Sequence, residues 1–123
     1  MSLPGAPRQT VIVVDDDAGL RKALRYSLEI EGFNVVTCRS GERLLKLPLP
    51  LTSACLVVDQ VLPGLSGIDA LEVLRGRQVD LPAIIITSAP DAELRARTLL
   101  ARAHLIEKPL LNDSLSGAIR AVI

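Results

Sequence analysis

Five short runs of apolar, mostly β-branched residues constrain the fold of this chain more than any other feature. Runs that are apolar nearly throughout are typical of parallel strands whose sheet is covered by helices on both faces. The second run is more mixed in character, as expected for a strand at a sheet edge. The runs predict strands at about 10–14, 34–38, 54–58, 83–87 and 104–107.

The first two segments between these runs have helical periodicity. In the first, Leu20, Leu24 and Leu28 repeat every four residues and indicate one apolar helix face. The second helix is predicted to be short, about 41–46. It is followed by the Leu47–Leu51 segment, whose two prolines remove backbone donors and clash with a preceding helical turn.

Three further helices are expected after the third, fourth and fifth strands. The third helix should begin near Gly67 and the fourth near Asp91. The residues expected to face inward are Ala92, Ala96, Leu99 and Leu100 in the fourth helix, and Leu111, Leu115, Ala118, Ile119 and Val122 in the fifth, with Asn112 or Asp113 as its cap.

Strands that alternate with helices along one chain indicate right-handed βαβ crossovers and a parallel sheet. We therefore predict an α/β fold, a doubly wound five-stranded parallel sheet of flavodoxin-like order 2-1-3-4-5. A chain of 123 residues suits one domain with a full core.

Composition excludes several classes of protein. The formal net charge is zero and the sequence has no run of basic residues, which argues against direct nucleic-acid binding by this segment. No apolar stretch reaches the roughly 18 residues needed to span a bilayer, and residues 1–8 resemble a flexible lead and not a signal peptide. Cys38 and Cys55 are too few for a disulfide framework and suit buried thiols in a reducing cytoplasm.

Polar side chains follow four of the predicted strands. Asp15, Asp16 and Asp17 come after the first strand and Asp59 after the third, whereas Thr87 with Ser88 ends the fourth and Glu107 with Lys108 the fifth. Open α/β sheets bind ligands in the crevice at the carboxyl ends of their strands. These side chains therefore predict one site.

These residues belong to four motifs that occur together in one known family. The chain resembles the receiver domains of two-component response regulators over residues 9–123, which implies a single receiver domain there. The motifs are Val13-Val14-Asp15-Asp16-Asp17, Val58-Asp59-Gln60-Val61-Leu62-Pro63 with Gly67, Ile86-Thr87-Ser88, and Ile106-Glu107-Lys108-Pro109.

The resemblance implies a role for each matching residue. Asp59 is expected to accept a phosphoryl group from a phosphohistidine and to form an acyl phosphate. Asp15 and Asp16, with Asp59 and the backbone carbonyl of Val61, are expected to hold Mg²⁺ or Mn²⁺. A hard cation relieves the repulsion between such carboxylates.

The remaining matches are expected to contact the phosphoryl group. Lys108 would pair with a phosphoryl oxygen as a point charge, and the Lys108–Pro109 peptide bond would be cis, as is usual in the family. Thr87 would donate its hydroxyl to the phosphoryl group and so transmit phosphorylation to the surface.

Partners and location also follow from the resemblance as expectations. The phosphodonor would be a sensor histidine kinase or a phosphotransfer protein in the cytoplasm of a bacterium. The chain would catalyse nothing beyond its own Mg²⁺-dependent phosphorylation and dephosphorylation. An output domain following residue 123 and a homodimer formed on phosphorylation are both compatible with the resemblance.

The chain departs from the family pattern at two positions. Leu105 lies where the family usually has Tyr or Phe, so an aromatic hydroxyl cannot report the switch. Ser88 lies where Ala or Gly is usual and is larger by a hydroxyl. Neither change removes a reacting group, but Leu105 leaves open a receiver-like interaction module with altered switching.

Other interpretations of these residues compete with the receiver hypothesis. A calcium loop starting at Asp15 fails because its twelfth position falls on Tyr26. A small aspartyl phosphatase would use Asp15 as nucleophile and Asp17 as acid, although no later pair of acidic metal ligands is found. We interpret His104 as a surface or strand-edge residue, and the charged stretches 21–25 and 93–102 as solvated helix faces.

Overall fold

The computed structural model describes residues 8–110 and 114–123. Its strands are β1 (Thr10–Val14), β2 (Asn34–Cys38), β3 (Ala54–Asp59), β4 (Ala83–Thr87) and β5 (His104–Glu107). Its helices are α1 (Ala18–Ile30), α2 (Gly41–Lys46), α3 (Gly67–Gly76), α4 (Ala92–Leu100) and α5 (Ser114–Val122). The five predicted strands and the short second helix are confirmed.

The sheet is parallel throughout, and its strand order is β2-β1-β3-β4-β5. This is the predicted doubly wound order, with the mixed strand β2 at an edge. Because the strands are parallel, their carboxyl ends meet along one edge of the sheet. The polar residues that follow β1, β3, β4 and β5 are therefore brought together.

Alternation of side chains along each strand produces two apolar cores, one on each face of the sheet. In β1, Ile12 and Val14 belong to the core beneath α2, α3 and α4, whereas Val11 and Val13 belong to the core beneath α1 and α5. The only aromatic residue in either core is Phe33. Both faces of each central strand are therefore apolar, which explains the nearly uninterrupted apolar runs.

Side-chain caps begin four of the helices. Asp17, Ser40, Ser66 and Asp91 each accept a hydrogen bond from the backbone N–H three residues later. The proposed caps of α5, Asn112 and Asp113, lie outside the described residues, as does Leu111. Among the residues that are described, no helix is long and apolar enough to cross a bilayer.

The predicted inward face of α4 is wrong. Leu99 and Leu100 are 77% and 79% exposed, whereas Leu94 and Thr98 are buried. Thr98 satisfies its hydroxyl by donating to the carbonyl of Leu94 at 2.7 Å. The sequence was misleading because a polar residue occupies an inward position and two leucines occupy outward ones.

The corrected face of α4 predicts different effects for two identical substitutions. Leu94→Ala should lower the free energy of unfolding by about 2–5 kcal/mol, because it leaves a cavity in the core. Leu99→Ala, in the same helix but exposed, should change it by no more than about 0.5 kcal/mol. Urea unfolding followed by circular dichroism measures both, and a larger loss for Leu99→Ala would restore the original assignment.

Candidate functional site

Asp59 is the last residue of β3 and not the first residue beyond it. Its Cα is in register with Ile86 of β4, and only 6% of the residue is exposed. The following N–H, that of Gln60, donates to the carbonyl of Ile86 at 2.8 Å. Pairing with β4 therefore holds the backbone at Asp59 and at the residue after it.

Asp15, Asp16 and Asp59 form an acidic cluster at this edge of the sheet. Each contributes a carboxylate oxygen, and these oxygens lie within 4.8 Å of one another. Asp15 is buried and accepts a hydrogen bond from the N–H of Asp17 at 2.9 Å, whereas Asp16 is exposed. Three converging carboxylates with one open side match the ligand preference of a hard divalent cation such as Mg²⁺. The predicted convergence of these three residues is confirmed.

Burial raises the pKa of Asp59, and the negative charges of Asp15 and Asp16 raise it further. The Lys108 ammonium opposes these effects, because its Nζ lies 3.1 Å from Oδ1 of Asp59. That contact is an ion pair without good hydrogen-bond alignment, since Oδ1 has no hydrogen-bond partner within the described part of the chain. Asp59 thus lacks full compensation for its buried charge.

Thr87 is the last residue of β4, and Lys108 directly follows the adjacent strand β5. Thr87 ends β4 in register with Glu107 of β5, and the N–H of Lys108 donates to the Thr87 carbonyl at 2.8 Å. The Lys108–Pro109 peptide bond is cis, as the resemblance implied. The Thr87 hydroxyl is buried and accepts a hydrogen bond from the N–H of Ala89 at 3.2 Å.

Close packing connects the acidic cluster to α3. A side chain at Gly67 would place its Cβ only 2.5 Å from the backbone oxygen of Asp59, so this position requires glycine. Gln60 reinforces the contact with two hydrogen bonds. Its side-chain oxygen accepts from the backbone N–H of Ile68 at 2.8 Å, and its backbone carbonyl accepts from the N–H of Gly67 at 3.0 Å. Gln60 belongs to one of the sequence motifs, but its role in fixing the start of α3 was not predicted.

Lys22 and Arg25 are exposed, in agreement with a solvated face, but two arginines of this stretch also bond to backbone carbonyls. Arg21 donates to the backbone carbonyl of Asp15 at 2.7 Å, and Arg25 donates to that of Val35 at 3.1 Å. The spacing from Asp15 to Arg21 crosses the β1–α1 loop, so no helical period could reveal this contact. Arg21 therefore supports the loop that contains Asp15 and Asp16.

In the second charged stretch, Arg97 is also more than a solvated residue. Its Nη2 lies 2.8 Å from Oδ1 of Asp69 and 2.5 Å from Oε1 of Glu72, so it links α4 to α3. The pKa of Asp69 is lowered by its hydrogen bond with Arg97 and by the Ser66 hydroxyl.

The remaining predicted residues lie around this cluster or away from it. Leu105 is half-buried and packs against the core beneath α2, α3 and α4. Val61 lies two residues beyond β3 with an exposed side chain, and metal binding by its carbonyl stays a prediction. Ser88 is exposed, and His104 is exposed on edge strand β5, as expected.

The two cysteines and Asp17 take no part in the acidic cluster. Cys55 is buried as predicted, whereas Cys38 is only half-buried, and both are free thiols. Asp17 caps α1, its side chain accepting from the N–H of Leu20 at 3.1 Å. This agrees with a structural role for Asp17 at the helix start.

Comparison with known proteins finds one family. Residues 11–120 match the response regulator receiver domain. The chain is 33% identical over 112 residues to the transcriptional regulatory protein FixJ of Azorhizobium caulinodans, covering 90% of this chain and 53% of that protein. The chain thus spans about half the length of this relative.

Solved structures give the same result. The response regulator StyR is similar with a TM-score of 0.86 and 34% identity, over 94% of this chain and 59% of that one. The structure titled FixJ-N is similar with a TM-score of 0.83 and 30% identity, over 95% of this chain and 94% of that one. The strand order and the five helices are thus those of a known fold.

The raised pKa of Asp59 predicts a pH-dependent effect of Asp59→Asn in metal-free buffer. A carboxyl group whose pKa in the folded state exceeds its unfolded value of about 3.8 destabilises the fold when it is ionised. This loss of stability is complete above the folded-state pKa and absent below the unfolded-state pKa. Asp59→Asn should therefore raise the free energy of unfolding near neutral pH, and the difference should shrink as the pH falls toward 4. Urea titrations across this range measure it, and a constant difference at every pH would refute the raised pKa.

Proposed function

The chain belongs to the response regulator receiver domain family, and on that premise we propose that Asp59 accepts a phosphoryl group from a phosphohistidine. The donor would be a sensor histidine kinase or a phosphotransfer protein of the same cytoplasm. We place the receiver domain at residues 9–123. The observation that supports the proposal is the buried Asp59 carboxylate, with two further carboxylates within 4.8 Å and the Lys108 ammonium at 3.1 Å.

The proposed reaction is a direct transfer. A carboxylate oxygen of Asp59 attacks the phosphorus, a P–O bond forms as the P–N bond breaks, and the imidazole leaves with the bonding electron pair. Phosphoryl transfer depends mainly on in-line placement and charge neutralisation. Pairing with β4 and the close contact with Gly67 hold the Asp59 backbone in place, which supports this proposal.

Charge neutralisation is divided among the surrounding groups. Mg²⁺ held by Asp15, Asp16, Asp59 and the Val61 carbonyl would supply positive charge for the phosphoryl oxygens. Lys108, which pairs with Asp59 before transfer, would turn to a phosphoryl oxygen afterwards. Asp59 gains charge on phosphorylation, so the ammonium keeps an anionic partner throughout.

Thr87 is the proposed reporter of phosphorylation. Its oxygen already accepts from Ala89, and no described acceptor takes the hydroxyl proton. That proton is therefore free to donate to the phosphoryl group, which would draw the end of β4 toward Asp59. Leu105, without a hydroxyl, would follow only through packing against its apolar neighbours.

The downstream partners are proposals of the same kind. The curated relative FixJ is a transcriptional regulatory protein about twice as long as the matched region. We propose that the switch acts on an output domain beyond residue 123 or on a second copy of the receiver. Neither requires enzymatic activity toward another substrate.

Phosphorylation by acetyl phosphate with Mg²⁺ tests the role of Asp59. The protein should gain one acid-labile phosphoryl group, and Asp59→Asn should abolish at least about nine-tenths of it, since the nucleophile is lost. Asp17→Asn is the matched control, because Asn also caps helices and the variant should be phosphorylated normally. Intact-protein mass spectrometry measures the yield.

Two outcomes of that experiment would contradict the proposal. Full phosphorylation of Asp59→Asn would assign the phosphoryl group to another residue. Turnover of p-nitrophenyl phosphate that Asp17→Asn abolishes would instead support the aspartyl phosphatase, with Asp15 as its nucleophile.

The switch is tested separately with beryllofluoride and Mg²⁺, which mimic a phosphoryl group on Asp59. We expect the amide NMR signals of residues 87–108 to shift, and Thr87→Ala to remove most of the shifts beyond the immediate site. Thr87→Ser, which keeps the hydroxyl, should retain them. If beryllofluoride shifts the signals of the wild-type protein only around Asp59, the chain is a receiver-like interaction module without a phosphorylation switch.

A further inference from the structure

A basic groove lies beside the acidic cluster, at the carboxyl end of β2. It encloses about 540 Å³ between α1 and α2 and opens to solvent. Its lining consists of Arg21, Thr37, Cys38, Arg39, Arg43, Lys46 and Leu47. Four of these seven residues are cations and none is acidic, although the whole chain has no net charge.

The four cations of the basic groove have no anionic partner among residues 8–110 and 114–123. Of the other described cations, only Arg97, Arg102, Lys108 and Arg120 pair with a carboxylate. The groove cations form no such pair, and Arg21 donates to a backbone carbonyl instead. Their charges therefore add up at one place on the surface.

The acidic residue of α2 is directed away from the basic groove. The Glu42 carboxylate accepts from the N–H of Leu65 at 3.1 Å, in the loop before α3. It does not neutralise Arg43 or Lys46, which follow it in the same short helix. The lining of the groove thus carries positive charge with no acidic side chain among its own residues, which favours an anionic ligand.

The shape and chemistry of the basic groove select among anions. A groove of about 540 Å³ that opens widely to solvent has room for a small anion. Arginine guanidinium groups recognise phosphate oxygens with paired donors, and lysine adds a point charge. Leu47 and Cys38 provide apolar surface beside the cations.

We propose that the basic groove binds a small molecule that carries a di- or triphosphate group. The phosphate groups contact Arg39, Arg43 and Lys46, and the remainder of the ligand lies against Leu47. This site is separate from phosphoryl acceptance at Asp59 and does not depend on it.

Cys38 provides an internal reporter for binding. It lines the groove and is half-buried, whereas Cys55 is fully buried and serves as the unreactive reference in the same molecule. Burial raises the pKa of Cys38, and the positive charges of Arg21 and Arg43 oppose that rise. An anion bound in the groove covers the thiol and cancels the charges that favour the reactive thiolate.

The experiment follows iodoacetamide modification of Cys38 in Mg²⁺-free buffer by peptide mass spectrometry. ATP and inorganic pyrophosphate should each slow the reaction several-fold, whereas adenosine and an equal ionic strength of sodium chloride should not. Stronger protection by ATP than by pyrophosphate would show that the nucleoside contributes. The proposal is overturned if adenosine, which has no phosphate group, protects Cys38, or if sodium chloride protects Cys38 as well as ATP and pyrophosphate do.

Charge-neutralising variants locate the site. The double variant Arg39→Gln with Arg43→Gln should bind ATP roughly tenfold more weakly or worse, because it loses charge-assisted contacts. Isothermal titration calorimetry measures the affinity. Arg95→Gln, at an exposed position of α4 outside the groove, is the matched control and should bind normally. Unchanged binding by the double variant, or binding of poly-glutamate but not pyrophosphate, overturns the assignment to a phosphorylated small molecule.

Discussion

Burial of a parallel sheet on both of its faces is the constraint on which the rest of this structure depends. The central strands must be apolar at nearly every position, so their polar residues are confined to the ends. Parallel pairing then brings the carboxyl ends of β1, β3, β4 and β5 to one edge. The acidic cluster, the Thr87 hydroxyl and the Lys108 ammonium meet there because the core excludes them elsewhere.

The site combines buried negative charge with a single nearby ammonium group. Asp59 is desolvated beside two other carboxylates, and the Lys108 ion pair only partly offsets that cost. A site of this kind favours added positive charge. Arg21 connects this edge to the basic groove of opposite sign, since it lines the groove and donates to the Asp15 carbonyl.

Rigid contacts join the acidic cluster to the helices on one side of the sheet. Gly67 lies against the Asp59 backbone, Gln60 fixes the first turn of α3, and Arg97 joins α3 to α4. The Asp59 backbone is therefore connected to α3 by close packing, and α3 is connected to α4 by an ion pair. Leu105 packs against the same apolar core, so its contacts there are apolar and involve no hydroxyl.

The sequence by itself determined the strands, their order and the acidic cluster, because apolar runs, helix caps and prolines act over a few residues and parallel topology supplies the rest. Asp15, Asp16 and Asp59 were predictable for that reason. Only the tertiary structure decided that α4 turns Leu99 and Leu100 outward, that Arg21 supports Asp15, and that four cations converge around Cys38. These depend on helix rotation and on contacts between elements distant in sequence, which no local pattern records.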